Sequence, residues 1–130
     1  MIRIAGLRAL SDRLARLDMT VTQQAALENA GRTLQEAIQD TLSTVPGGDH
    51  SSPWRRTGTL QSSIGYRADA TGAVVGSDDP VAVDQELGTS NIPPRPFLST
   101  TAAARARDIV HQIAQPIAIA IREATKDVSR

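Results

Sequence analysis

The chain has 130 residues, enough for one compact domain spanning 1–130 and too few for a second core of ordinary size. Its 14 Lys and Arg balance its 14 Asp and Glu, so no net field draws it to nucleic acid or an anionic membrane. The absence of cysteine removes disulfides, thiolate metal ligands and thiol nucleophiles together. The N-terminus, MIRIAGLRALSDRLARL, alternates apolar and charged residues in place of a signal-peptide core, and no run approaches the about 20 apolar residues of a membrane span. A soluble chain that is not secreted and that folds in a reducing cytoplasm is therefore expected.

In chain order, Leu7, Leu10, Leu14 and Leu17 share one side of a short amphipathic helix whose Arg8, Arg13 and Arg16 form a solvated face. Leu27, Ala30, Leu34, Ile38 and Leu42, at steps of three and four, predict a longer helix over 21–45. Thr20 or Thr22 is placed to cap its start, and Val45-Pro46-Gly47-Gly48 to end it. The Gly, Ser, Asp, His and Pro of residues 46–55 read as an exposed, flexible loop. Segments 62–68 and 73–77 carry strand character and are joined by Asp69-Ala70-Thr71-Gly72, which suits the turn of a β-hairpin. The following Val81–Leu87 fits a short strand or one or two helical turns equally well. Three prolines within residues 91–96 predict a stiff, extended connector. Leu98, Ala102, Ala106, Ile109, Ile113, Ile117 and Ile121 then share the face of a long C-terminal helix, in which Pro116 predicts a kink or a division into two. The expected fold is α+β: a long N-terminal helix, a small antiparallel sheet with a hairpin, and a long C-terminal helix packed on the sheet.

The aromatic residues are only Trp54, Tyr66 and Phe97, so a core of Ala, Leu, Ile and Val is thin and association is a natural way to complete it. No catalytic constellation is legible. His50 and His111 have no second histidine at a ligand spacing, so no metal site and no cofactor are expected. Asp78-Asp79 before Pro80 reads as a turn, since no glutamate follows at a calcium-loop spacing. Asp84 and Glu86 share a face if their segment is a strand, which would suit an acid–base pair, but a solvated edge or inter-subunit ion pairs explain them as well. Ser62 and Ser63 lack the glycine-flanked elbow of a hydrolase, and an enzyme is not expected. Trp54-Arg55-Arg56 sets a stacking ring beside two cations, which marks an interface loop or one that faces DNA. Its plainer reading is a ring that anchors the loop and arginines that pair with carboxylates of this chain or a neighbouring one.

Two linked motifs carry a resemblance. Arg56-Thr57-Gly58-Thr59-Leu60-Gln61-Ser62-Ser63-Ile64 resembles the R-TG-xL-xxSI signature of the phage tail-component family typified by gene product ten of the lambdoid Hong Kong phage. Val81-Ala82-x3-Glu86-Leu87-Gly88-Thr89, followed by Arg95-Pro96-Phe97-Leu98, resembles that family's YA-xxxE-[FY]GT, proline-rich link and RPFL, in the same order and spacing. Val81 stands where the family usually has tyrosine, Leu87 where it has an aromatic, and Ser99-Thr100-Thr101-Ala102 replaces the usual proline-alanine start of the last helix.

The resemblance implies a virion structural protein of a tailed phage or phage-like particle, assembled in the host cytoplasm. It would act at the head-tail junction, as a neck or tail-completion protein in a hexameric ring. Its implied partners are other copies of itself and the neighbouring head-completion adaptor, tail terminator or tail-tube proteins, with weak contact to DNA in the lumen. A tail terminator that caps the tube is the alternative within that biology, and a small DNA-binding or regulatory module the alternative outside it. Fold-defining roles are expected for the motif residues: Gly88 for a sharp turn, Thr89 bonding back to that turn, Arg95 pairing with Glu86, and Phe97 plugging the core.

Overall fold

The computed structural model describes residues 6–48 and 50–126; residues 1–5 of the N-terminal segment and Asp49 of the predicted loop lie outside the described residues. The architecture is α+β: two N-terminal helices, a helical turn, a two-stranded antiparallel hairpin, a short helix and a long C-terminal helix. Helix α1 (Leu7–Arg16) has no buried residue, and Leu7 and Leu14 on its apolar side are exposed. It lies against the C-terminal helix, where the Arg13 guanidinium donates to the Ala124 carbonyl at 3.3 Å.

Helix α2 (Thr20–Thr41) is the element around which the others gather. Neither Thr20 nor Thr22 caps it; the Asp18 carboxylate does part of that work, accepting the Thr20 N–H at 2.9 Å. The helix also ends four residues before the predicted Val45. Ser43 and Thr44 turn their hydroxyls back to the carbonyls of Asp40 and Thr41, supplying local bonds that compete with further helix. Ala26, Ala30, Gly31 and Ile38 are buried along it. The glycine is needed for close approach: a Cβ at Gly31 would sit 2.7 Å from Cδ2 of the Tyr66 ring.

After a single helical turn, α3 (Thr59–Ser62), strands β1 (Ile64–Ala68) and β2 (Ala73–Ser77) pair antiparallel, with Ile64 opposite Ser77 and Ala68 opposite Ala73. Strand alternation turns Ile64 and Tyr66 inward and leaves Gly65 and Arg67 exposed. The Asp69 carboxylate organises the turn, accepting from the Thr71 N–H at 2.7 Å, the Thr71 hydroxyl at 2.6 Å and the Gly72 N–H at 3.1 Å. At the open end the Ser63 and Ser77 hydroxyls bond at 2.6 Å.

The undecided segment is a helix, α4 (Pro80–Leu87). Asp79 caps it, accepting the Val81 N–H at 3.0 Å, and Pro80 occupies the first turn, where its missing N–H costs nothing. Residues 88–97 follow without regular structure, as the prolines require. Helix α5 (Leu98–Thr125) runs through Pro116 as one helix, contrary to a division into two, although Pro116 has no N–H to offer the Gln112 carbonyl. Of its predicted inner face, Ala106 and Ile121 are exposed, while Thr101, outside the apolar pattern, is buried. That threonine is satisfied by the Phe97 carbonyl at 2.5 Å and the Thr41 hydroxyl at 2.9 Å, which ties α5 to the end of α2. Gln112 adds a bond to Thr33 at 3.1 Å farther along.

The core is small. Ile38, Leu42, Ile64, Ala82 and Phe97 form its centre, with Leu34, Leu60, Val75 and Leu98 packed against it. Helix α2, both strands, α4 and the first residues of α5 therefore meet at one cluster, and Phe97 is its largest fully buried side chain. No helix among the described residues is long and apolar enough to cross a membrane.

Candidate interaction site

The loop after α2 is exposed over most of its described length, and its second half is tied back. The Thr44 carbonyl accepts the Arg55 N–H at 2.6 Å, the Ser52 hydroxyl lies within 3.4 Å of the Thr41 carbonyl, and Pro53 is buried. Trp54 is half-buried, and its ring stacks on His50 with centroids 3.9 Å apart at an angle of 21°. The stacking is within the loop itself, Trp54 against His50, and does not by itself show an anchor onto the domain.

Gly58 then turns the chain into α3 with φ of +84°, a left-handed conformation that suits glycine. Thr57 accepts the Thr59 N–H at 3.3 Å, and Leu60 drops onto the core beside Ile64. The first motif thus converts the loop into the hairpin: Arg56 stays exposed, Gly58 makes the corner, Leu60 and Ile64 anchor, and Ser63 closes the sheet.

The second motif fixes the start of α5. Glu86 accepts the backbone N–H groups of Phe97 at 2.9 Å and Leu98 at 3.0 Å through Oε2, and that of Ser99 at 3.0 Å through Oε1. The Ser99 hydroxyl adds a short bond to Oε1. A helix start leaves N–H groups without intrahelical acceptors and carries a partial positive charge, so a carboxylate there serves as a remote cap. Partial burial is the largest single influence on the Glu86 carboxyl and works against its charge. The Ser99 hydroxyl and the N–H groups of Leu98, Ser99 and Phe97 together outweigh it and hold the group below the ordinary glutamate range.

This arrangement corrects the expected Glu86–Arg95 pair, since Glu86 spends its oxygens on the helix start and forms no ion pair with Arg95. Arg95 is held instead by its N–H, which donates to the Gln85 carbonyl at 2.7 Å. Gly88 and Thr89 take their expected places. Gly88 adopts φ +74° and ψ 169°, and a Cβ there would lie 2.8 Å from the Pro94 nitrogen. The Thr89 hydroxyl accepts the N–H groups of Asn91 and Ile92, and its own N–H donates to the Ile92 carbonyl at 2.8 Å. The Pro96 carbonyl accepts the Thr100 hydroxyl, and Phe97 fills the core.

Between the two motifs opens a cleft of about 640 Å³, whose walls include Trp54, Arg55, Arg56, Leu60, Asp79 and Arg95. Neither Arg55 nor Arg56 pairs with a carboxylate of the described residues, contrary to the intrachain pairing considered from sequence. Among pairs of described residues, ion pairing is confined to the exposed Glu123 and Lys126 at 3.5 Å. Asp84 and Glu86 do not form a two-carboxylate face, because on helix α4 residues two apart point about 200° apart. His111 is exposed on α5 and joins neither. No group of three His, Asp or Glu side chains among the described residues is arranged to hold a metal ion. Protein-family models, curated proteins and solved structures yield no match to this chain.

Sequence reasoning missed two polar joints. The cap by Glu86 spans eleven to thirteen residues and leaves no local signature. The cap by Asp79 did leave one, an acidic residue immediately before a proline at the first helical position.

Proposed function

We propose that this chain is a structural component of a tailed-phage or phage-like particle, a neck or tail-completion protein that works as a hexameric ring at the head-tail junction. The observation that carries the reading is the pair of linked motifs, Arg56–Ile64 and Glu86–Leu98, and its support is that their residues meet at one core and one cleft. Leu60, Ile64 and Phe97 pack there, while Glu86, Gly88 and Thr89 shape the chain between α4 and α5. Such residues specify a scaffold and do no chemistry, in keeping with a protein that acts by shape.

The surface adds to this support. Val83 and Leu87, one helical turn apart on α4, are 59% and 72% exposed, Val74 on the outer hairpin face is 72% exposed, and Val110 on α5 is 64% exposed. A small subunit that leaves so much aliphatic surface in water while burying few side chains gains by association. A closed ring uses two different surfaces of each subunit, so the hairpin with α4 on one side and the loop or α5 on the other are the elements offered for contact.

Electron microscopy of particles from a strain lacking the gene, beside the complemented strain, tests the proposal. Filled heads and separate tails that fail to join would support the junction role; tails of irregular length would favour the tail terminator; normal joined particles would overturn both.

A further inference from the structure

The three arginines of the cleft are not explained by the scaffold role. Arg55, Arg56 and Arg95 line one wall system, and among the described residues none of their guanidiniums makes a hydrogen bond or an ion pair. The carboxylate in the lining is Asp79, which is occupied in capping α4. Three cations against one anion leave a local excess of two positive charges in a chain whose net charge is zero. Like charges gathered in a concave site repel one another and raise the affinity for an anion that enters between them. The rest of the lining mixes polar side chains, among them Gln61 and Gln85, with a flat ring surface, the Trp54 ring stacked on His50, beside which lie Pro53 and Leu60.

We infer that this cleft binds a single-stranded nucleic-acid segment, with phosphates on Arg55, Arg56 and Arg95 and an unpaired base against the Trp54–His50 stack. Guanidinium forks match phosphate oxygens two at a time, and every base has a face that stacks on an aromatic ring. An acidic peptide would satisfy the charges but make no use of the ring wall, and a duplex keeps its base faces hidden. The chain's neutrality limits the contact to a few phosphates, so the binding is weak and local, with a salt dependence set by those few contacts. The inference stands on the cleft alone, so it fails or survives independently of the particle role.

Trp54 is the single tryptophan, so its fluorescence in the intact chain reads the cleft directly. Titration with a short oligothymidylate is expected to quench it. With three phosphate contacts the logarithm of the affinity should fall against the logarithm of NaCl concentration with a slope of about −2. Arg56→Ala and Arg95→Ala should each flatten that slope by about 0.7 and weaken binding about fivefold at ~0.1 M NaCl. Arg107→Ala, on the exposed face of α5, should change neither. Circular dichroism confirms that each variant is folded; should Arg95→Ala lose its fold, Arg95→Gln, which removes the charge but keeps the side-chain stem, serves in its place with the same expected flattening of the slope. Absence of quenching, equal binding of poly-glutamate, equal binding of a duplex, or a slope indifferent to the arginines would each overturn the inference.

Discussion

Replacing Glu86 with alanine removes one carboxylate and strands several donors at once. The N–H groups of Phe97, Leu98 and Ser99 and the Ser99 hydroxyl all lose their acceptor, the first two in partly or fully buried surroundings. A lost N-cap costs about 1 kcal/mol, and losing the anion at a helix start adds about 0.3 to 1 kcal/mol. A buried donor left unsatisfied adds about 1 kcal/mol more, for a total of about 2 to 3 kcal/mol. With about 2.1 cal/mol/K of unfolding entropy per residue, 1 kcal/mol is worth about 4 °C in a domain of 130 residues, so Glu86→Ala should lower Tm by about 8 to 11 °C. Glu86→Gln keeps an acceptor oxygen but not the charge, and should fall between. Because the folded carboxyl is held below its ordinary value, its stabilisation is complete above the unfolded pKa of about 4.3 and is lost as pH falls through the lower folded value. The gap between the native chain and Glu86→Gln should therefore close on acidification below about pH 4.3. Thermal melts followed by circular dichroism across that window decide the matter. A loss under about 2 °C for the alanine variant at neutral pH, or a gap that does not depend on pH, would refute the capping argument.

Gly88→Ala should cost about 2 to 4 kcal/mol, because φ +74° with ψ 169° is a region open almost only to glycine and the new Cβ meets the Pro94 nitrogen at 2.8 Å; an unchanged melting temperature would contradict this. Gly31→Ala gains about 1 kcal/mol of helix propensity but drives a methyl to 2.7 Å from the Tyr66 ring, so a net loss of about 1 kcal/mol is expected. In a Tyr66→Ala background the same change should become stabilising, and a double-mutant cycle by urea unfolding reads that reversal of sign. Pro116→Ala restores an N–H to the interior of α5 opposite the Gln112 carbonyl, and should raise stability by about 1 to 3 kcal/mol in the same assay.

The elements with a strong period were legible before any coordinates. The steps from Leu27 to Leu42 and from Leu98 to Ile121 gave α2 and α5, and Asp69–Gly72 between two short segments of strand character gave the hairpin. The segment 81–87 stayed open because seven residues are too few for a period to separate strand from helix; Asp79-Pro80 settles it once read as a cap. The burial of Thr101 was invisible for a different reason. Its place inside depends on the Thr41 hydroxyl, sixty residues away, supplying the partner that makes a buried hydroxyl tolerable. The site was half legible: Trp54, Arg55 and Arg56 stood out together, whereas Arg95 joined them only because the chain between Gly88 and Phe97 folds back over α4.

The charges of this protein have a consequence for how it responds to its medium. Fourteen cations and fourteen anions are distributed so that, among pairs of described residues, only Glu123 and Lys126 come within ion-pair distance, on the open surface. Exposed pairs of that kind contribute little and are screened easily, so the ion pairing among the described residues should make little of the stability depend on ionic strength. Any process that brings the unpaired cleft arginines or the α4 carboxylates against another molecule should respond strongly to it. Salt should thus act on such contacts more than on the ion pairs of the described fold.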